Sequence, residues 1–470
     1  MFVEPIKSPG LAQISYLIGD ACEAAVIDPR RDCEIYIALA RQRGCRITHI
    51  FETHRNEDLL SGAPILAQLT GASVHHGPDA AGDVRYAQTV REGDDFTFGA
   101  MQLRVLETPG HTDDSLSFAI YERGQNEAGT ANRAIGVFSG DALFVGDVGR
   151  TDFYPERKEE VAGLLYDSLE KILALGDQVI LYPAHGAGST CGGNIADRDF
   201  STLGYERLHN PMLQIRDREK FIASKLAEHH EKPPYFRHME QLNLVGCRAP
   251  AQEMTPALIS AADFQRLSAK PPAEKPLVVD VRGVTAYLGA HLPGSLAIPC
   301  GMIPAFAGWF LQPDDEFVLV ADSPSQAEAA CRHLARIGFD RVLGFSDTAL
   351  PAWAAGARPF DSIAAVDAAT VKSRADGGHD NWRILDVRGR KEIAQGIIAG
   401  AETIFLGNLP KQLEQLSKER HYTVMCASGA RATIAASILR RSGFQKVDVF
   451  LGSMGAWRNS GNAVTSPGDE

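Results

Sequence analysis

The segment LVVDVRG at 277–283 returns as RILDVRG at 383–389. Fourteen residues beyond each aspartate, Asp280 and Asp386, stands a glycine, Gly294 and Gly400. FVLVADSPSQAEAACRHLARIGF (317–339) returns as YTVMCASGARATIAASILRRSGF (422–444). The offset is 106 residues at the first anchor and 105 at the last. A period of roughly 100 residues is too long for one supersecondary unit and long enough for a domain, so each copy must close its own core. Short apolar runs that alternate with helix-like stretches predict parallel sheets with crossover helices. The second half of the chain is therefore read as two copies of one α/β domain. At 470 residues, there is room for a further domain ahead of them.

That first part also reads as α/β. ISYLIGD (14–20) and EAAVIDP (23–29) predict strands, CEIYIALARQRG (33–44) a helix, ITHIFETH (47–54) a strand and APILAQLTG (63–71) a helix. MQLRVLETPGHT (101–112), AIGVFSGDALF (134–144) and QVILYPAHG (178–186) are β-rich runs, each ending in a turn that carries His or Asp. Polar residues at the ends of successive strands are where α/β proteins build sites. Residues 205–231 are expected to be helical, and 231–250, with its prolines, to be a tail and linker.

Composition bounds the function. A net charge of -12 argues against a nucleic-acid partner. No apolar run approaches the ~20 residues of a spanning helix, and no basic leader with an apolar core begins the chain, so neither membrane nor export is expected. Eight cysteines without a spacing pattern do not suggest a disulfide scaffold, and a reducing cytoplasm is the expected location.

The candidate ligands are His54, His111 in TPGHT, Asp141 in SGDAL and His185 in YPAHG. Their order and their loops resemble the metallo-β-lactamase superfamily, which implies an αββα sandwich with the site at one edge. In binuclear hydrolases of that superfamily, the positions of Asn56 and Leu59 hold two more histidines. Asn56 is a weak neutral ligand and Leu59 none. What remains, His54, His111 and Asp141, is a two-histidine, one-carboxylate set with open positions, suited to one non-haem Fe(II) and oxygen chemistry. Together with GDALFVGDVGRTDF (140–153), this resembles the persulfide dioxygenases, although their loop keeps the two histidines. Asp58, His185 and Asn56 are then expected behind the ligands, orienting them or bound water. Arg55 and Arg150 flank the motif loops as exposed arginines available to a carboxylate or phosphate.

Cys426 lies in VMCASGARAT, where a strand runs through a small-residue loop into a helix. The loop Ala427, Ser428, Gly429 and Ala430 would aim N–H groups at the sulfur, and Arg431 would add charge, both favouring a thiolate or persulfide. With DVRG upstream and GSMGAW (452–457) downstream, this copy resembles rhodanese, which implies Cys426 as a sulfur-carrying nucleophile. The other copy has Ala321 at the matching place, or Val320 by the upstream anchor, and no thiol either way. Cys191, in HGAGSTCGGN, has two readings: a thiol that holds a persulfide near the iron, or a small residue in a tight loop.

The chain as a whole resembles fusions of a persulfide dioxygenase with rhodanese. The resemblance implies a metallo-β-lactamase-fold domain (1–245), a linker (246–258), a rhodanese-like domain without its cysteine (259–361) and one with it (362–470). It implies oxidation of a low-molecular-weight persulfide, of glutathione, coenzyme A or a similar thiol, by O2 to sulfite, with thiosulfate made or consumed. A homo-oligomer, a dimer first, is expected. The alternatives are a zinc thioester hydrolase of the glyoxalase II type with rhodanese appendages, and a non-catalytic sulfur carrier or sensor.

Overall fold

The structure is a computed structural model and describes all residues except 79–81, 83, 124–132, 190, 250–253, 272–273, 379–380 and 468–470. Residues 250–253 of the expected linker thus lie outside the described residues. The chain divides into one compact unit, Met1–Ala251 with Arg336–Gly338, and a second built from Gln252–Ala335 and Phe339–Glu470.

The first unit is an αββα sandwich of two six-stranded sheets. One sheet runs Phe2–Ser8, Gln13–Asp20, Glu23–Ile27, Arg46–Phe51, Ser73–His76 and Gln88–Thr89, antiparallel at first and parallel from Glu23–Ile27 onward. The other orders Ser201–Thr202, Ile180–Pro183, Ala134–Gly140, Leu116–Glu122, Met101–Glu107 and Asp95–Phe98, with one parallel pair, Ala134–Gly140 beside Ile180–Pro183. Alternate residues of both sheets meet in the middle, where Tyr16, Ile18, Phe51, Phe98, Leu103, Phe118 and Phe138 form the core. The helix Lys158–Leu173 covers the outer face of the second sheet with Leu165, Leu169 and Ile172. Four strands, Arg46–Phe51, Met101–Glu107, Ala134–Gly140 and Ile180–Pro183, deliver their following loops to one edge. The sheets are tied there by the Ile14 N–H on the Ala184 carbonyl, 2.7 Å.

Two expectations need correction. The helical stretch 205–231 is two helices, Leu203–His209 and Arg218–Leu226, each capped at its start by a side chain, Thr202 and Asp217. The stretch 231–250 is not a plain tail. Two of its prolines, 233 and 234, precede a ten-residue helix, Phe236–Val245, that buries Phe236, Met239 and Asn243. Proline is tolerated before a helix because no intrahelical N–H is lost there.

The second unit holds two all-parallel sheets. The first orders Leu296–Ala297, Leu277–Asp280, Phe317–Val320 and Val342–Ser346. The second orders Ala364–Val366, Val447–Phe450, His421–Met425, Trp382–Asp386 and Ala401–Thr403. A parallel bridge from Leu258 to Phe345 stands in the first sheet where the second has Ala364–Val366. The repeated DVRG has the same role twice. Arg282 and Arg388 fold back on Asp280 and Asp386, and each also donates to a carbonyl eight residues on from its aspartate's partner, Ala290 and Gly396. A buried charge pair satisfied in this way fixes the loop that leaves the strand. Asp280 pairs with Val320 as Asp386 pairs with Met425, so Ala321, not Val320, corresponds to Cys426.

Candidate metal centre and sulfur-carrying loop

His54 leaves the strand Arg46–Phe51 through Thr53. The Thr53 N–H and hydroxyl both donate to Asp28, at 2.7 and 2.8 Å, so the hydroxyl oxygen accepts from His54 Nδ1 at 2.9 Å. His111 Nδ1 lies 3.0 Å from the Arg150 carbonyl, which can only accept. Both rings therefore carry a proton on Nδ1 and turn Nε2 inward, where a neutral ring offers a lone pair. Asp141 follows Gly140, whose φ is 54°. A Cβ at that glycine would lie 2.8 Å from Thr53 Cβ, so the His54 and Asp141 loops meet closely only over glycine.

Inside this edge His111 Nε2 is 3.5 Å from Asp141 Oδ2, and His54 Nε2 is 3.9 Å from the same oxygen. Glu57 joins them. Its Oε1 is 3.3 Å from His111 Nε2 and its Oε2 is 3.9 Å from His54 Nε2. All four residues are buried, and His54 Nε2, His111 Nε2, Asp141 Oδ2 and Glu57 Oε2 have no hydrogen-bond partner. Lone pairs facing lone pairs out of water call for a cation. Atoms each ~2.1 Å from one ion lie ~3.0–3.5 Å apart, close to the spacing found. The donor set fits a divalent metal ion.

The charges respond to this crowding. Burial opposes ionisation of Asp141, but His185, His54 and His111 outweigh it and hold the carboxyl far below its usual range. Burial likewise opposes a charge on His111, and Glu57 beside it raises its pKa. His185 uses both nitrogens, Nδ1 to Asp141 Oδ1 at 2.7 Å and Nε2 to Asp58 Oδ2 at 3.1 Å. The two carboxylates overcome burial and raise its pKa well above the ordinary value. The ring thus bridges Asp58 and orients Asp141.

Cys191 is fully buried at the same place. Its Sγ donates to Glu57 Oε1 over 3.3 Å. Ligand atoms of Glu57, His111, Asp141 and Cys191 all lie within 4.8 Å of one another, and so do those of Asp58, His185 and Cys191. Burial first, then Glu57, Asp58 and Asp141, push the Cys191 thiol well above its usual pKa. Asn56 stays outside both groups. Its amide faces the His54 carbonyl at 3.4 Å, and Leu59 is buried. Arg150 is not the exposed arginine expected: it is 1% exposed, paired twice with Asp152 at 2.6 and 2.8 Å, and its carbonyl holds His111.

Sequence reasoning passed over three residues. Glu57 lies between Asn56 and Asp58, where an acid in a polar loop carries no mark of the side it faces. Asn243 accepts the Ser61 N–H at 2.9 Å and donates to the Asn56 and Leu59 carbonyls at 2.7 and 2.8 Å, and the Tyr235 hydroxyl donates to the Asp58 carbonyl. No local pattern announces either, because their partners are more than 170 residues away in sequence.

In the second unit, Cys426 follows the strand His421–Met425 directly, and its Sγ accepts the Gly429 N–H at 3.1 Å. Gly429 has φ 117°, which turns the loop so that its N–H faces the sulfur. Ala427 and Ser428 are exposed, and the helix Ala430–Arg441 follows. Ser453 of GSMGAW accepts the Cys426 N–H at 3.1 Å, and Met454 N–H reaches the Cys426 carbonyl. Arg431 is held in a two-point pair with Glu392, at 2.6 and 2.7 Å. Burial works against its charge, while Glu392 and then Cys426 favour it, and its pKa is raised.

Residues 9–185 match the metallo-beta-lactamase superfamily, and 260–355 and 367–460 each match the rhodanese-like domain. A crystal structure of a metallo-beta-lactamase from Staphylococcus aureus subsp. aureus COL is 32% identical, covers 74% of this chain and 98% of its own, and superposes with a TM-score of 0.62. The chain belongs to the metallo-beta-lactamase superfamily, with two rhodanese-like domains fused behind that domain. The mitochondrial persulfide dioxygenase ETHE1 of Mus musculus is 29% identical over 225 residues, 46% of this chain and 76% of that protein. The beta-lactamase hydrolase-like protein of Agrobacterium fabrum is 27% identical over 286 residues, 53% of this chain. The chain spans 62% of that relative's length. Among the described residues, no helix is long and apolar enough to cross a membrane.

Proposed function

We propose that residues 1–245 form a mononuclear Fe(II) persulfide dioxygenase and residues 362–470 a sulfurtransferase coupled to it, with 259–361 a copy that lost its thiol. The observation that carries this is the meeting of His54 Nε2, His111 Nε2 and Asp141 Oδ2, buried and unpartnered, beside a loop whose Asn56 and Leu59 cannot complete a hydrolase's second metal. One Fe(II) would be held by those three atoms and, when bound, would supply the electron chemistry that lets O2 react.

The chain's own residues do the rest. Asp28 through Thr53 and the Arg150 carbonyl fix the two imidazoles, and His185 fixes Asp141. The ligand side chains are buried, and the Cys191 thiol beside them would be a neighbour of the substrate's sulfur. The overall reaction is RSSH + O2 + H2O to RSH, HSO3− and H+, where R is glutathione, coenzyme A or a similar carrier. The Cys426 thiolate first takes the outer sulfur of a small persulfide, whose own S–S bond breaks to release RSH; the new Cys426 S–S bond then breaks as sulfite takes that sulfur. Thiosulfate leaves, the thiolate remains under the Gly429 N–H, and the proton goes to solvent. The cytoplasm is the compartment proposed.

Oxygen uptake by the Fe(II)-loaded chain given glutathione persulfide, beside a zinc-loaded sample, tests this. Uptake with iron alone, with sulfite or thiosulfate appearing, supports the reading; bound iron without uptake for any small persulfide overturns it. The grouping of Asp58, His185 and Cys191 favours a second reading, a zinc thioester hydrolase. Thioester cleavage by the zinc sample would establish that one instead.

A further inference from the structure

We propose that Glu57 is a fourth protein ligand of the metal centre, so that this chain grips its ion with two imidazoles and two carboxylates. The inference rests on the reading of this edge as a metal site, and names a ligand that the three-residue set leaves out. Glu57 is 1% exposed and sits between Asn56 and Asp58, in the loop where Asn56 and Leu59 stand in place of histidines expected from the resemblance. Its Oε2 has no hydrogen-bond partner, and neither do the three atoms it faces. Its Oε1 is nearer to His111 Nε2, at 3.3 Å, than Asp141 Oδ2 is, at 3.5 Å. Ligand atoms of Glu57, His111, Asp141 and Cys191 all lie within 4.8 Å of one another.

Among the described residues no N–H, arginine or lysine meets Glu57 Oε2, and such a carboxylate oxygen is costly to bury. A divalent ion removes that cost, and two carboxylates balance its charge. The consequence is stoichiometric. In a six-coordinate centre, three protein ligands leave three places, whereas four leave two, one for a persulfide sulfur and one for O2. It is also selective, because an added oxygen donor shifts preference away from soft-ligand metals. Cys191 donates to the other Glu57 oxygen, so the thiol braces the carboxylate that would turn toward the ion.

The test is Co(II) loading of the full-length chain, read by visible absorption and by competition with a chelator. Glu57→Gln keeps the shape and removes the anionic oxygen. The expected result is an affinity loss of at least about tenfold and altered ligand-field bands, with the apo protein's circular dichroism unchanged. Affinity within about twofold and an unchanged spectrum would overturn the proposal. Should the variant fail to fold, anomalous scattering from Co(II) in wild-type crystals decides. A peak about 2.2 Å from a Glu57 oxygen supports ligation, and one beyond about 3 Å overturns it. Cobalt held through Glu57 in a chain that consumes no oxygen would sink the dioxygenase reading and leave this one standing. Oxygen uptake with Glu57 off the metal would do the reverse.

Discussion

At Cys426 one sulfur accepts one N–H, and the charge beside it is an arginine already committed to Glu392. Cys426→Ser is expected to abolish sulfur transfer from thiosulfate to cyanide while leaving oxygen uptake intact. Loss of both activities would show that the two chemistries are not divided between domains as proposed. His111→Ala should do the opposite, stripping the iron and oxygen uptake but sparing transfer, with iron per chain measured by elemental analysis; retained iron would remove His111 from the ligands. His75 offers a pH test. Its ring is buried against Phe51 and Phe96 with no hydrogen-bond partner, and burial, with His49 adding to it, lowers its pKa to about 4. The folded state refuses a proton that the unfolded chain accepts near 6.5. Its contribution to stability is thus complete above that value and is lost as pH falls toward 4. Urea midpoints between pH 7 and 4.5 should fall less steeply for His75→Phe than for the wild type. At this scale the sequence was readable where a residue's own turn announces it, as at His54, His111, Asp141 and Cys426. Glu57 was not, because an acid in a polar loop looks the same whether it faces water or an ion.

Among the elements, the helix Phe236–Val245 matters most for the site. Asn243 serves three backbone groups of the loop that carries His54, Glu57 and Asp58. Asn243→Ala would leave the Ser61 N–H and the Asn56 and Leu59 carbonyls buried without that partner, at a cost of about 1–3 kcal/mol. Denaturant unfolding should show the loss, and iron should leave a chelator-challenged sample faster. Unchanged values in both would make the helix a mere cover. The helix was illegible because two prolines stand just before it, and proline is read as a breaker whether it ends structure or begins it. The repeat was legible for the opposite reason: Asp280–Arg282 and Asp386–Arg388 impose the same bend in each copy and so preserve the same letters. The one-residue change of offset was settled only by strand register, which places Ala321 opposite Cys426.

For the whole molecule, the two proposed chemistries would share an intermediate on one chain, which would raise its local concentration. With glutathione persulfide in excess, the wild-type chain should release thiosulfate, whereas Cys426→Ser should release sulfite at a similar oxygen uptake, as ion chromatography would show. Equal product ratios would mean that Cys426 plays no part in the fate of the product. The fold class was legible at this scale because strand-end motifs and a repeat of domain length are sums over many residues. The grip of Asn243 on a loop more than 180 residues earlier is a single contact, and no window along the chain contains both ends of it. That grip also sets an order of events during synthesis. The ribosome makes His54, Glu57, His111 and Asp141 long before it makes Asn243, so the strands can assemble while the loop still lacks its clasp. Until Asn243 arrives, the loop of His54, Glu57 and Asp58 lacks the partner of three of its backbone groups, and a metal ion would meet ligands less firmly held.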